Sequence, residues 1–460
     1  MSPKSSSKGN ALGTIFALIL VLCLGGYYLI SETDPLGLFA TATSSPATAI
    51  VEVVPTKTLK PTKTPKASAT TSPAEPSSPT ETSAPEVQPS ETSPAQPTAE
   101  PAQPATETPT VAAPSNPASW WQVYFVTSQR VREAQEIEYG SKGLPAELLK
   151  GSITAALIAK IDAAQQTIHI ASFETDIIDV ANALIRAKER GVDVRWITDD
   201  ESGLMADTKP GHGQFALMKK AGIPVIDDKR GALMHDKFWI FDSQTVWTGS
   251  TNVTVSGMFE QNNNVIVIES AELAAIYERQ FADMWAGKFN AKSPSTVDQQ
   301  KVTIDGTPIQ VLFSPEDKAI SKIIPYVQGA QKSVRFMAFT FTQPLLGQAM
   351  IEASKRGVAV SGVFETTGAD SQYGAMTPLA CAKVPVRIDG NYAFMHHKVI
   401  IIDNRIVITG SLNFTDNADQ SNNENVIIID NPEIAKLYTA EFERVWAAGK
   451  DQDPTKITCK

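Results

Sequence analysis

Six residue types recur in this chain at one set of spacings, and they do so twice. The first copy is His235, Lys237, Asp242, Gly249, Ser250 and Asn252. The second is His396, Lys398, Asp403, Gly410, Ser411 and Asn413. Every gap is the same in both. A pattern of six positions is far more specific than a lone short motif. Two such copies demand a duplicated fold, in which the halves bring two imidazoles and two ammonium groups face to face.

The flanks extend the duplication. Ala164 to Ile170 aligns with Ala330 to Phe336, Arg190 to Val192 with Arg356 to Val358, and Pro224 with Pro385. After each copy an Asn-Val pair opens an apolar run, Asn264 to Ile268 and Asn425 to Ile429. Leu273, Ile276, Tyr277, Phe281 and Trp285 match Ile434, Leu437, Tyr438, Phe442 and Trp446 at a spacing that gives one apolar helical face. These aromatics read as core.

Each half reads as strand, helix, strand, further strands, then helix. Strands are expected over Ile168 to Phe173 and Val334 to Phe341, and over Val192 to Ile197 and Val358 to Phe364. Helices are expected over Ile177 to Arg190 and Pro344 to Arg356. Strand–helix–strand units with short connections imply α/β lobes, each a mixed, mostly parallel sheet flanked by helices, related by a pseudo-two-fold axis. The motif strands, Leu233 to Phe241 and Phe394 to Ile402, are almost continuously apolar, as central strands are. Hairpin turns are expected at Asp242-Ser243 and Asp403-Asn404.

The chain ahead of the lobes is of another kind. Residues 1–10 carry Lys4 and Lys8, and residues 11–30 are apolar or small with no charge. About 20 such residues span a bilayer as a helix, and lysines on the leading side keep that side in the cytoplasm. Residues 41–117 hold 16 of the 30 prolines and no aromatic residue. Such a segment cannot bury enough apolar area to offset its chain entropy, so an extended linker is expected. The organisation expected is a cytoplasmic start at 1–10, a transmembrane anchor at 11–30, a linker at 31–117, a first lobe at 118–297 and a second at 298–460. The catalytic part then lies outside the cell membrane on a single-pass, monomeric chain, where Cys381 and Cys459 are able to pair. A cleaved signal peptide is the rival reading of the apolar run.

Residues two apart in a strand share a face, so each copy sets an imidazole beside an ammonium group. Glycine permits close backbone approach, and the serine and asparagine that follow supply neutral donors. That set suits a phosphoryl group attacked by nitrogen. Lys237 and Lys398 then act with the histidines, while Ser250, Asn252, Ser411 and Asn413 hold phosphate. Asp242 and Asp403 lie on the opposite strand parity and are expected to fix the turn or hold the lysine. Glu424 stands 28 residues after His396, and Asn263 stands 28 after His235. A carboxylate against an imidazole favours the protonated ring, which points to His396 as general acid and His235 as nucleophile. No cofactor or metal is called for, and no CxxC pair exists. Among the remaining histidines, His397 points to the opposite strand face and reads as structural, His169 as packed, and His212 as a loop residue.

The two H-x-K-x4-D-x6-G-S-x-N copies resemble the HKD motif of the phospholipase D superfamily, over most of residues 120–450. The resemblance implies two α/β lobes sharing one interfacial site and a covalent phosphohistidine. It implies catalytic and phosphate-holding roles for His235, Lys237, Asn252, His396, Lys398 and Asn413. A phospholipid or other phosphodiester is the substrate it implies. With a net charge of -10, nucleic acid is the alternative substrate rather than the first, since nucleic-acid binders usually carry a basic excess.

Overall fold

The computed structural model describes residues 119–459, apart from 129–130, 132–142, 290–294, 368, 370–372, 454 and 456. The expected anchor at 11–30 and linker at 31–117 lie outside the described residues.

The first lobe contains β1 (Trp121–Phe125), β2 (Thr167–Ser172), β3 (Asp193–Thr198), β4 (Val225–Asp227), β5 (Lys237–Phe241), β6 (Thr245–Gly249) and β7 (Asn264–Glu269), in the spatial order β1-β7-β6-β5-β2-β3-β4. The second contains β8 (Lys301–Ile304), β9 (Thr307–Ser314), β10 (Ser333–Ala338), β11 (Ala359–Phe364), β12 (Val386–Ile388), β13 (Lys398–Ile402), β14 (Ile406–Gly410), β15 (Glu424–Asp430) and β16 (Lys450–Asp451). Its order is β16-β12-β11-β10-β13-β14-β15-β9-β8. Read from β9 to β12, this repeats the first sheet strand for strand. The motif strands β5 and β13 are internal in both.

The longer helices among the described residues are α1 (Ile153–Ala163), α2 (Ile178–Glu189), α3 (Ala271–Trp285), α4 (Ala319–Gly329), α5 (Pro344–Lys355) and α6 (Pro432–Ala448). The expected crossover helices correspond to α2 and α5.

The sheets are mixed, but not mostly parallel. Among the described strands, parallel pairing is confined to β2–β3–β4 and β10–β11–β12. The other ladders, including those that flank the motif strands, are antiparallel. A helical crossover returns a strand parallel, whereas a tight hairpin returns it antiparallel. Each lobe has more of the second kind of connection than its strand–helix–strand opening suggests.

Three apolar clusters explain why the motif strands are apolar on both faces. Phe238 and Ile240 join Val399, Ile401, Tyr277 and Tyr438 in one core that draws on both lobes. Trp239 and Phe241 face the other way, into a core with residues of α1 and α2. Ile400 and Ile402 do the same with residues of α4 and α5. The matched helical aromatics are core as expected, with Trp285 and Trp446 only half-buried at its rim.

The lobes also join through backbone. Met234 bridges Asn423, and Asn262 bridges Met395. His235 N–H donates to the Asn423 carbonyl at 2.9 Å, and His396 N–H donates to that of Asn262 at 2.9 Å. Each contact becomes the other when equivalent residues of the two lobes are exchanged, which is the signature of a two-fold relation.

Candidate active site

The site begins with a pair of turns. Asp242 and Ser243 have φ values of 51° and 51°, and Asp403 and Asn404 have 55° and 53°. This left-handed geometry matches a two-residue hairpin to strand twist. The Asp242 carboxylate accepts the N–H groups of Gln165, Gln166 and Thr167, and Asp403 those of Gln331, Lys332 and Ser333. Both aspartates therefore fix the turn and pin the start of β2 or β10. Neither holds the motif lysine.

The hairpins return the chain to Gly249 and Gly410. A Cβ at Gly249 would sit 2.2 Å from the Asn264 carbonyl oxygen, and one at Gly410 would sit 2.1 Å from that of Asn425. Only glycine allows β6 and β14 to lie this close to the starts of β7 and β15. That closeness seats the next residue, Ser250 or Ser411, completely inside the protein. Sequence reasoning gave these serines to phosphate; the structure gives them other work. Ser250 Oγ donates to Asn263 Oδ1 at 2.8 Å, and Ser411 Oγ donates to Glu424 Oε2 at 2.6 Å. A hydroxyl with no exposure and a strong acceptor already engaged has no lone task left for a substrate.

Glu424 and Asn263 do not back the histidines of their own lobes. Glu424 Oε2 accepts from His235 Nδ1 at 2.7 Å. Asn263 Oδ1 and the Ser250 carbonyl each accept from His396 Nδ1 at 3.0 Å. The expected Glu424–His396 pairing is thereby corrected, and with it the ground on which sequence made His396 the general acid: register placed the residues at the right strand end, but the contact crosses the interface. Both rings must carry hydrogen on Nδ1 to make these bonds, which leaves the lone pair on Nε2. Neither Nε2 has a hydrogen-bond partner among the described residues.

The lysines are held by backbone and aromatic faces. Lys237 Nζ donates to the His235 carbonyl at 2.9 Å and lies 5.2 Å from the Phe173 ring centroid. Lys398 Nζ donates to the His396 carbonyl at 2.8 Å and lies 4.5 Å from that of Phe339. The same two rings meet the histidines edge-on, at 5.0 Å for Phe173 and His235 and 4.7 Å for Phe339 and His396. Sequence reasoning missed both phenylalanines. Their equal position in the aligned strands was the available signal.

Burial dominates the electrostatics. It lowers His235 to about 4 against the pull of Glu424, with Lys237 lowering it further. Burial, then Lys398, Lys237 and His235 itself, push His396 well below the ordinary histidine range. Burial and then Lys237 push Lys398 well below its ordinary value. Lys237 falls to about 8, through burial opposed by Glu424 and Glu174. Lys398 acts on His235, Lys237 and His235 on His396, and Lys237 on Lys398, as two pairs that share one cleft must.

Further residues shape it. Asp199 and Glu365, also missed from sequence, occupy equivalent places and accept the N–H groups of Met234 at 3.2 Å and Met395 at 2.6 Å. Asn252 Nδ2 donates to Glu174 Oε1 at 2.7 Å. Carboxylate oxygens of Asp199, Asp200 and Asp228 lie within 4.8 Å of one another. Arg230 Nε already engages Asp228 at 2.9 Å, so this group is neutralised in part by the chain itself. His397 does point away from the cleft: its Nε2 donates to Glu441 at 2.9 Å, and its Nδ1 accepts from Asn264. His169 is packed, with Nδ1 2.7 Å from Glu278. His212 lies in a loop. Cys381 and Cys459 form a disulfide.

Comparison with known proteins matches this arrangement to one family. The profile described as "Cardiolipin synthase, PLD-like domain" covers residues 157–285 and 323–446, one segment in each lobe. The mitochondrial cardiolipin hydrolase of Xenopus laevis is 38% identical over 138 residues, which is 30% of this chain and 64% of that relative. The chain thus spans less than two thirds of the length of that relative. The phospholipase D of Rickettsia prowazekii (strain Madrid E) is 35% identical over 130 residues, 28% of this chain and 63% of its own. Among solved structures, the phosphatidylserine synthase of Haemophilus influenzae Rd KW20 superposes with a TM-score of 0.52 at 15% identity, covering 68% of this chain and 87% of that one. That likeness concerns the fold alone. With matched segments in both lobes that together exceed half of its length, the chain belongs to the phospholipase D-like family.

Proposed function

We propose that this protein is a phosphodiesterase that works through a phosphohistidine, with His235 as nucleophile and His396 as general acid and base. The observation that carries the reading is the crossed pair of contacts that fixes hydrogen on both Nδ1 atoms and leaves both Nε2 atoms free.

In the first step the His235 Nε2 lone pair attacks phosphorus. The bond from phosphorus to the leaving alcohol oxygen breaks, and the His396 Nε2 proton passes to that oxygen. Glu424 favours His235 for the attack, because a ring that bonds phosphorus while keeping its Nδ1 proton becomes cationic. The neutral acceptors behind His396 make its imidazolium the readier proton donor. An arriving phosphate anion raises His396 from its depressed value and so loads it for this role. In the second step His396 takes a proton from water, the oxygen attacks phosphorus, and the bond to His235 breaks. Lys237 and Lys398 with Asn252 and Asn413 hold the non-bridging oxygens.

The substrate we infer is a phospholipid, cleaved at its head group by water or transferred to another alcohol. The names of the relatives support this class, as does the apolar run at 11–30. The disulfide supports a catalytic part outside the cytoplasm, where thiols oxidise. The test is rapid quenching with phosphatidylcholine or cardiolipin vesicles, and in parallel with DNA, followed by mass mapping of the phosphorylated residue. Phosphate on His235 from lipid is expected. Phosphate on His396 would reverse the roles, and turnover of DNA alone would replace the substrate.

A further inference from the structure

The two halves of the cleft differ at one more place. Glu174 follows Phe173, and its Oε1 accepts from Asn252 Nδ2 at 2.7 Å. The residue that follows Phe339 in the other lobe is Thr340. Asn413, the equivalent of Asn252, has no side-chain hydrogen bond among the described residues. One phosphate-holding amide is therefore tied to a carboxylate and the other is not.

The geometry points to Glu174 as a specificity-determining residue that selects singly charged phosphodiesters over doubly charged phosphomonoesters, and so helps to expel the phosphomonoester formed on hydrolysis. This rests on the reading of Asn252 as a phosphate ligand.

The argument is one of charge. The two hydrogens of an amide nitrogen diverge, so a phosphoryl oxygen accepting the second one lies about 5 Å from Glu174 Oε1. Lys237 and Lys398 supply two cations, and Glu424 is committed to His235, Ser411 and Asn422. Glu174 is the carboxylate hydrogen-bonded directly to a phosphate-holding amide. With Glu174 ionised, the two lysines and this carboxylate leave one net positive charge, which a singly charged diester balances. A monoester brings a second negative charge, which the carboxylate opposes. At about 5 Å in a partly screened cleft the penalty amounts to roughly tenfold in affinity.

The carboxylate's ionisation follows from its surroundings. Burial pushes Glu174 up to about 7, Asp176 and Asp199 add to that, and Lys237 and the Asn252 hydrogen bond oppose it. The discrimination is accordingly strongest above neutral pH, where both Glu174 and a monoester are ionised.

Glu174→Gln keeps an acceptor for Asn252 and removes the charge. At pH 8, with the full chain hydrolysing a diester, inorganic phosphate and glycerol phosphate serve as inhibitors. The ratio of each inhibition constant to the diester KM is expected to fall about tenfold in the variant, because the first negative charge is common to both ligands and only the second distinguishes them. Glu174→Asp should restore the wild-type ratio. Should Glu174→Gln fold poorly, Glu174→Thr installs the residue of the other lobe and asks the same question. Inhibition constants that stay put, or that move in step with KM, would overturn the inference and mark Glu174 as a mere support for Asn252. Diester hydrolysis that survives His235→Ala would instead overturn the mechanism beneath it.

Discussion

Glu424 of the second lobe holds His235 of the first: Oε2 stands 2.7 Å from Nδ1, and the reciprocal place beside His396 is filled by Asn263 at 3.0 Å. Neither lobe orients its own motif histidine. Each supplies one imidazole and the group that orients the other, so the site exists only when the lobes are docked. The two-fold frame is symmetric, and the exchange of a carboxylate for an amide within it gives the two rings different chemistry.

Removing that asymmetry should be visible in the pH profile. Asn263→Asp places a carboxylate on His396 and raises its pKa. A group that must be protonated loses function as pH rises through its pKa, so the alkaline limb of kcat/KM should move to higher pH. Glu424→Gln should lower kcat roughly 100-fold, because the cationic ring on His235 loses its counter-charge. A Glu424→Gln enzyme with full kcat would sink the assignment.

Ser411 offers a sharper test of placement. As the donor to Glu424 Oε2 it acts on catalysis rather than on binding. Ser411→Ala should lower kcat about tenfold with KM nearly unchanged. Steady-state kinetics decide the matter: a raised KM at constant kcat would return the hydroxyl to the phosphate.

Gly410 tests packing behind the site. An added Cβ meets the Asn425 carbonyl at 2.1 Å, at a φ of 146°. The obstacle is backbone, which cannot rotate away. Gly410→Ala should cost on the order of 3 kcal/mol, read from chemical or thermal unfolding. Gly357→Ala meets nothing within 4 Å, so its cost comes from its φ of 91° alone and should be smaller.

Asp389 makes stability depend on pH. Burial raises its carboxyl to about 7, with Glu365 adding to the effect. Between the ordinary aspartate value near 4 and about 7 the native state binds the extra proton, so native stability falls as pH rises through that window. Asp389→Asn removes this loss. Its melting temperature relative to the wild type should climb from pH 5 to pH 8, with a gain on the order of 1–3 kcal/mol at the upper end. A difference that stays flat with pH would show the carboxyl to be ionised throughout.

Much of this protein was written in its residue order. The equal spacing of the two motifs fixed the lobes, the near-continuous apolar run from Phe238 to Phe241 placed β5 inside its sheet, and strand parity turned His397 away from the cleft. These are local properties, set by the alternation of side chains along a strand. Strand direction was less legible, because a connection's length shows more than its sense. Three matters needed the folded chain: that Glu424 reaches across to His235, that Ser250 and Ser411 are spent inside the protein, and that Glu174 ties up Asn252. The Glu424 and Glu174 contacts join segments 189 and 78 residues apart, and the serine contacts, 13 residues apart, depend on how closely two strands pack; a linear pattern carries neither distance. Only docking the lobes and closing the strands over each glycine decides them.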